Sequence, residues 1–355
     1  MTRRNSTLAA GGLMLGAALA AAAWRRRGAM NLNGRVALVT GGSRGLGLLI
    51  ARELGRLGAR VTIVARDEQE LERARTDLQS RGVDASILVA DIAREADADR
   101  IVDSVVAREG RLDVLVNNAG VIQVGPMEHM AIADFEEAMA VHFWAPLRTM
   151  RAAIPHMRRA GGGRIVNVSS IGGKIGVPHL VPYSASKFAL TGLSTSARAE
   201  LANYGILVTT VSPGLMRTGS PFNAWFKGRH RQEFTWFAIA DSLPLMSIDA
   251  ERAAAQIVDA ARRGDAELVV TWPARMAVMA AAVMPNVMAG VMSLTNRFLP
   301  SPAGQAGDDR HPGWQSSTRW APSVLTRLTE RAAAENNELP AGRSPDPGAP
   351  IPRPV

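Results

Sequence analysis

A serine at 170, a tyrosine at 183 and a lysine at 187 are the residues best suited by type and spacing to move a proton. Tyr183-Ser184-Ala185-Ser186-Lys187 runs into Phe188, Ala189, Leu190 and Leu193, an apolar pattern that suits a helix. On a helix, a spacing of four puts the tyrosine hydroxyl and the lysine ammonium on one face. A free tyrosine titrates near ~10, and a cation held beside it favours the phenolate, so its pKa is expected to fall toward working pH. Such a tyrosine gives a proton to a ketone oxygen or takes one from an alcohol. The chain has two tyrosines, Tyr183 and Tyr204, and three lysines, Lys174, Lys187 and Lys227, with arginine at most other basic positions. A guanidinium does not replace a compact ammonium without changing the chemistry. Tyr-x-x-x-Lys also arises by accident on helix surfaces, so the pair needs support from the elements that would position it.

That support begins near residue 35. Arg35 to Thr40 reads as a short buried strand, followed by Gly41-Gly42-Ser43-Arg44-Gly45-Leu46-Gly47 and an amphipathic run from Leu48 to Leu57. Strand, glycine turn, helix is the arrangement in which amides at a helix start receive a pyrophosphate. The next strand, Arg60 to Ala65, closes a βαβ unit. Its end carries Arg66, with Asp67 one step further. An acidic group there suits the free ribose hydroxyls of NAD, whereas Arg66, helped by Arg44, suits the extra phosphate of NADP(H), which is the cofactor expected here. Arg66 and Asp67 also fit the start of a solvated helix. Further strands are expected at Ser86 to Ala90, ending at Asp91-Ile92 where an aspartate would meet adenine, and at Val114 to Val116, ending in Asn117-Asn118-Ala119-Gly120. Others follow at Ile165 to Val168, ending at Ser169-Ser170, at Leu207 to Val211, ending in Pro213-Gly214, and at Ala266 to Thr271. Strands alternating with helix-length segments give an α/β fold with a doubly wound, Rossmann-like parallel sheet, and ligands bind beyond the carboxyl ends of such strands.

With these residues in order, the chain resembles the short-chain dehydrogenase/reductase family over roughly Asn33 to Trp272. The resemblance rests on Thr40-Gly41-x-x-x-Gly45-x-Gly47, Asn117-Asn118-Ala119-Gly120, Ser170 with Tyr183-x-x-x-Lys187, and Pro213-Gly214 followed by Thr218. It implies one Rossmann-like domain and hydride transfer between nicotinamide and a carbonyl or alcohol carbon. It further implies Tyr183 as general acid/base, Ser170 holding the substrate oxygen, and Lys187 binding the nicotinamide ribose while lowering the tyrosine pKa. Asn118 would stabilise the central sheet near the cofactor, and Thr218 would contact the carboxamide or a phosphate. One departure stands out. Where family members commonly carry a relay asparagine, this chain reads Val141-His142-Phe143-Trp144. His142 either takes part in a proton relay or is a satisfied histidine in a packed helix.

Phe222, Trp225, Phe226, Phe234, Trp236 and Phe237 crowd one short segment, as walls for a bulky apolar substrate or as ordinary core. The expected substrate is a lipophilic ketone or secondary alcohol. A non-catalytic cofactor-binding or scaffold protein on the same fold is the alternative, supported only by His142.

The 355 residues carry a net charge of +9 and no cysteine, which excludes disulfides, thiol catalysis and cysteine-ligated metals. No metal site is expected, and the scattered arginines do not form a nucleic-acid surface. Leu8 to Trp24 holds no charged residue and is flanked by Arg3-Arg4 and Arg25-Arg26-Arg27. The segment 1–30 is therefore expected to be an apolar helix that anchors the chain in the inner membrane, with the catalytic domain facing the cytoplasm. A cleaved signal peptide and a membrane-surface helix are its rivals. Residues 273–300, in two methionine-rich runs around Pro285-Asn286, are expected to form a helical hairpin on the membrane, over the substrate entrance, or in a homo-oligomer contact. From Ser301 the composition turns polar and then proline-rich, so 301–355 is expected to be a disordered tail.

Overall fold

The computed structural model describes residues 28–242, 247–318, 320–321 and 326–338. The N-terminal segment expected to be an anchor lies outside them. Strand β1 (Val36–Thr40), helix α1 (Gly45–Arg56), β2 (Arg60–Ala65), α2 (Glu68–Ser80), β3 (Ala85–Val89), α3 (Glu95–Glu109) and β4 (Val114–Asn117) form the first half of a doubly wound unit. After a two-residue β5 (Gln123–Val124) come α4 (Ile132–Met139), a π-helical turn (Ala140–Trp144), α5 (Ala145–Arg159), β6 (Gly163–Val168), α6 (Val181–Leu201) and β7 (Ile206–Ser212). Then follow β8 (Leu215–Arg217), α7 (Ser220–Asn223), β9 (Trp225–Phe226), α8 (His230–Ser242), β10 (Ser247–Asp249), α9 (Ala250–Arg263) and β11 (Glu267–Val269).

Seven strands make one sheet in the order β11-β7-β6-β4-β1-β2-β3, and every pair is parallel. Strands buried on both faces read as continuous apolar runs, which is how Val36-Ala37-Leu38-Val39 and Ile165-Val166 appear in the sequence. One face is covered by α1, α2 and α9, whose Leu48, Ile50, Leu71, Leu78 and Ile257 share a cluster with Val39 and Ile63. The opposite face is covered by α3, α5 and α6 around Leu38, Leu115, Ile165 and Val208. Inside the sheet a polar ladder crosses β4 and β6. Asn117 Nδ2 donates to Asn167 Oδ1 at 2.9 Å and Thr149 Oγ1 donates to Asn117 Oδ1 at 2.7 Å. Asn167 in turn donates to Ser194 Oγ at 3.2 Å. Each side chain of this ladder finds a partner, so the register of these strands is fixed by more than apolar fit.

Residues 273–300 do form a hairpin, of α10 (Trp272–Val283) and α11 (Pro285–Asn296). Thr271 caps α10 by accepting from Ala274 N, and Ala274 packs beneath it. No other residue of the two helices is buried, and Trp272 at 71% and Val283 at 78% are largely exposed, as is Phe298 at 82% just beyond them. Among the described residues no helix is long and apolar enough to cross a membrane.

The expected disordered tail is corrected over its first part. Strand β12 (His311–Pro312) pairs antiparallel with β9, in a small sheet ordered β12-β9-β5. Helix α12 (Arg327–Glu335) buries Thr329 and Ala333. Single anchors do the docking: His129 Nδ1 meets Asp308 at 2.8 Å, Arg310 binds Glu137 through both terminal nitrogens and lies 3.9 Å over Trp225, and His230 stacks on His311. Composition hides this because the segment is held by individual polar and aromatic contacts rather than by an apolar stripe.

Candidate active site

The carboxyl ends of β1, β2, β3, β4, β6 and β7 open into one cavity of about 640 Å³. It is lined by Gly41, Ser43, Arg44, Gly45, Leu46, Gly47, Arg66, Asp91, Ile92, Asn118, Ala119, Gly120, Ser170, Tyr183, Lys187, Pro213, Gly214 and Thr218. All the residues expected to bind a cofactor therefore meet in one place.

The glycine turn is built for close approach. Gly41 has φ +65°, and a Cβ there would lie 2.7 Å from Ala119 Cα. A Cβ on Gly47 would lie 2.0 Å from the Gly41 carbonyl oxygen. Asn118 ties the turn to β4, its Nδ2 donating to Thr40 O at 3.2 Å and Gly41 O at 3.1 Å. The cradle thus fits a dinucleotide diphosphate, and a carboxyl group of the chain already packs against it. The Glu338 carboxylate lies where a Gly45 Cβ would sit 2.8 Å from Oε1, and it accepts from Gly219 N at 2.6 Å. On the adenosine side, Asp67 lines the cavity and caps α2 by accepting from Glu70 N at 2.9 Å. Arg66 is exposed at the rim and makes no ion pair among the described residues. Arg44 is partly engaged, donating to Glu70 at 2.8 Å, and Ser43 also donates to Glu70.

The catalytic residues come from two elements. Ser170 caps a short turn after β6, its hydroxyl accepting from Gly172 N at 3.0 Å, and it hydrogen-bonds the Tyr183 side chain at the start of α6. Lys187, one turn on, is buried and donates from Nζ to Val168 O at 2.8 Å. Before any ligand is bound, Lys187 is not among the groups that shift Tyr183. Burial pushes Tyr183 up to about 12, opposed by the Ser170 hydrogen bond and reinforced by the negative field of Asp241. Burial also brings Lys187 down to about 7. Two groups desolvated together each lose stability in their charged form, so an ammonium that is itself half discharged near neutrality cannot dominate its neighbour. Nζ moreover lies 5.6 Å from the tyrosine ring centroid and points its bond at the Val168 carbonyl.

His142 is buried and hydrogen-bonded within the protein. Its Nε2 accepts from Val121 N at 3.1 Å, which assigns the ring proton to Nδ1, and Nδ1 donates to Ser186 Oγ at 2.8 Å. Ser186 passes its own proton to Tyr183 O at 2.8 Å. Burial, then the Lys187 charge, holds the imidazole well below its usual range, so it stays neutral. Both nitrogens are spent on the protein, and the ring edge supports the Tyr183 ring at 5.4 Å. In this arrangement it positions the Tyr183 ring from the cavity wall.

The aromatic segment divides between the two readings. Phe226 and Phe234 are core, whereas Phe222, Trp225, Trp236 and Phe237 reach the cavity. A buried His179–Glu233 pair at 2.9 Å, with Trp236 Nε1 donating to the same carboxylate at 2.7 Å, holds α8 in place. Two cavity residues have no signal in the local sequence. Asp241, 6% exposed on α8, has no hydrogen-bond partner among the described residues, and burial followed by the charge of Glu338 raises it to about 8. Glu338 lies over one hundred residues from its partner Gly219, and only the docking of the tail brings it into the cavity.

The comparisons agree with this geometry. The family pattern described as short chain dehydrogenase matches residues 35–224. An uncharacterized oxidoreductase of Thermotoga maritima is 40% identical over 185 residues, spanning 52% of this chain and 73% of that protein. A metagenomic short-chain oxidoreductase solved in complex with NADP superimposes with a TM-score of 0.56 at 34% identity, covering 68% of this chain and 98% of the other. A gluconate 5-dehydrogenase from Burkholderia cenocepacia, solved with NADP and tartrate, gives a TM-score of 0.61 at 28% identity over 72% and 99% of the two chains. With the seven-stranded sheet, the glycine cradle and the serine, tyrosine and lysine all in their places, the chain belongs to the short-chain dehydrogenase family.

Proposed function

We propose that the protein is an NADP(H)-dependent oxidoreductase that interconverts a lipophilic ketone and its secondary alcohol at the cytoplasmic face of a membrane. The observation that carries the reading is the meeting of Ser170 and Tyr183 in a cavity with the glycine cradle at one end and aromatic walls at the other. When bound, the nicotinamide supplies or accepts the hydride. Ser170 holds the substrate oxygen by a hydrogen bond. Tyr183, with its pKa pushed up to about 12, is protonated at neutral pH and so begins as the acid, which suits reduction. Phe222, Trp225, Trp236 and Phe237 exclude water from the reacting carbon and accommodate an apolar substrate. A scaffold without turnover is the alternative, and the two protein hydrogen bonds of His142 weigh against the one residue that favours it.

The choice of NADP(H) rests on an unpaired Arg66 at the rim and an Asp67 committed to its helix. Two of the structural neighbours were solved with NADP, which supports it. Fluorescence titration should give tighter binding of NADPH than of NADH. Arg66→Ala should weaken NADPH by about 10- to 100-fold, the worth of a charge-assisted contact, and leave NADH unchanged. Equal loss for both dinucleotides would remove the phosphate role of Arg66. Carbonyl reduction is then followed by NADPH consumption on a panel of lipophilic ketones.

Membrane association is assigned to the α10–α11 hairpin. Between Glu267 and Asp308 the sequence holds no acidic residue, Arg275 and Arg297 lie within it, and its large apolar side chains face outward. A chain starting at Met30 should float with anionic vesicles, and Val283→Asp with Phe298→Asp should release it. If that shortened chain stays with the soluble fraction, the hairpin is not the attachment.

A further inference from the structure

We propose that Asn336-Asn337-Glu338 is an internal occupant of the diphosphate cradle, a strap that must leave before the dinucleotide can bind. The proposal rests on reading the cradle as the dinucleotide seat. The first amide of α1, Gly45 N, donates to the Asn336 carbonyl at 2.9 Å. A helix start of this kind favours anions through its free amides and its dipole. The Glu338 carboxylate fills the space above Gly45 and takes the Gly219 amide, beside Thr218, so a carboxylate stands where a phosphate would be held. Asn337 adopts φ +57° and its Nδ2 donates to Ser43 O at 2.8 Å and Glu70 O at 3.1 Å, bridging the glycine turn and α2. Arg73 Nε binds Asn337 Oδ1 at 2.9 Å, and Arg52 binds Asn336 Oδ1 at 3.1 Å and Glu335 O at 3.2 Å. Upstream, Thr329 of α12 meets Ser242 of α8 at 2.6 Å, so the strap is delivered by a packed helix.

The strap is held at a cost that depends on pH. Burial raises Glu338 to about 7, partly opposed by the Gly219 amide and the Arg44 guanidinium and reinforced by Glu70. Across the cavity, Asp241 repels it in turn. A carboxyl whose pKa is higher when docked than when free takes up a proton on docking. Docking is therefore strongest in acid and weakens as pH rises from the ordinary carboxylate range through about 7. Neutral to alkaline conditions, and an incoming dianionic ligand, both favour release.

The test is NADPH binding by calorimetry or fluorescence to the full chain, to Asn337→Ala/Glu338→Ala and to Glu338→Gln, each at pH 6 and pH 8. The apparent affinity of the unaltered chain is reduced by the fraction of molecules with a free cradle. The double variant should bind about tenfold tighter or better at pH 6, with the gap narrowing at pH 8. Glu338→Gln should lose the part of the pH dependence that the unaltered chain shows in excess of the double variant. As a readout independent of affinity, NADPH should speed tryptic cleavage after Arg327 and Arg331 in the unaltered chain, by freeing the helix that carries them. Equal affinities at both pH values overturn the strap and leave the seat standing. Weaker binding by the double variant overturns it by making the segment a clamp. If no form binds NADPH or NADH, the dinucleotide reading of the cradle fails and the strap falls with it. Thermal melts without cofactor show that each variant is folded before it is titrated.

Discussion

Tyr183→Phe should lower kcat for carbonyl reduction by about 10²- to 10⁴-fold, the usual worth of a positioned general acid, while NADPH binds as before. Only one oxygen is removed. The ring keeps its edge contact with His142, and Ser170 keeps the bond from Gly172 N that fixes its turn. A loss confined to kcat thus identifies the proton donor rather than a collapsed pocket. Tyr204→Phe is the matched control, because Tyr204 is exposed and its ring is covered by Arg158 with no side-chain hydrogen bond among the described residues. Retention of activity by Tyr183→Phe would sink the acid assignment. The pH profile of alcohol oxidation offers a second check. Its rise should lie on the alkaline side, since burial places the Tyr183 ionisation at about 12 before any ligand is bound.

Gly47→Ala should lower the melting temperature and abolish dinucleotide binding together. The added Cβ would lie 2.0 Å from Gly41 O and 2.5 Å from Asn118 Nδ2. These are parts of the turn itself, and a backbone carbonyl cannot swing aside as a side-chain end can. Overpacking of this kind costs about 1–3 kcal/mol, and relief requires opening the cradle. Gly192→Ala on α6 is the contrast, with nothing within 4 Å of the new Cβ. Replacing a mid-helix glycine there should be neutral or stabilise by about 0.5–1 kcal/mol. Should Gly47→Ala bind NADPH normally, the glycine turn is not the diphosphate seat.

The contrast between these two glycines shows what a sequence makes legible. The turn at Gly41 to Gly47 is a local device, set by neighbours within seven positions, and it can be read from spacing alone. The same holds for the alternation of strands and helices, since apolar runs such as Val36 to Val39 report burial on both faces. Tyr183 and Lys187 share a helix face because they are four apart, and α6 puts them there.

What the sequence determined by itself is therefore the fold class, the cradle and the identity of the serine, tyrosine and lysine, because each is encoded by short-range periodicity or spacing. Only the tertiary structure decided how those groups ionise, since Lys187 answers to burial and Tyr183 to burial and to the distant Asp241. It also decided that His142 is spent on Val121 and Ser186, twenty-one and forty-four residues away. And it decided that Asn336 to Glu338 of the polar C-terminal segment sit at the cradle, because Glu338 reaches Gly219 across 119 positions by contacts that no local pattern announces.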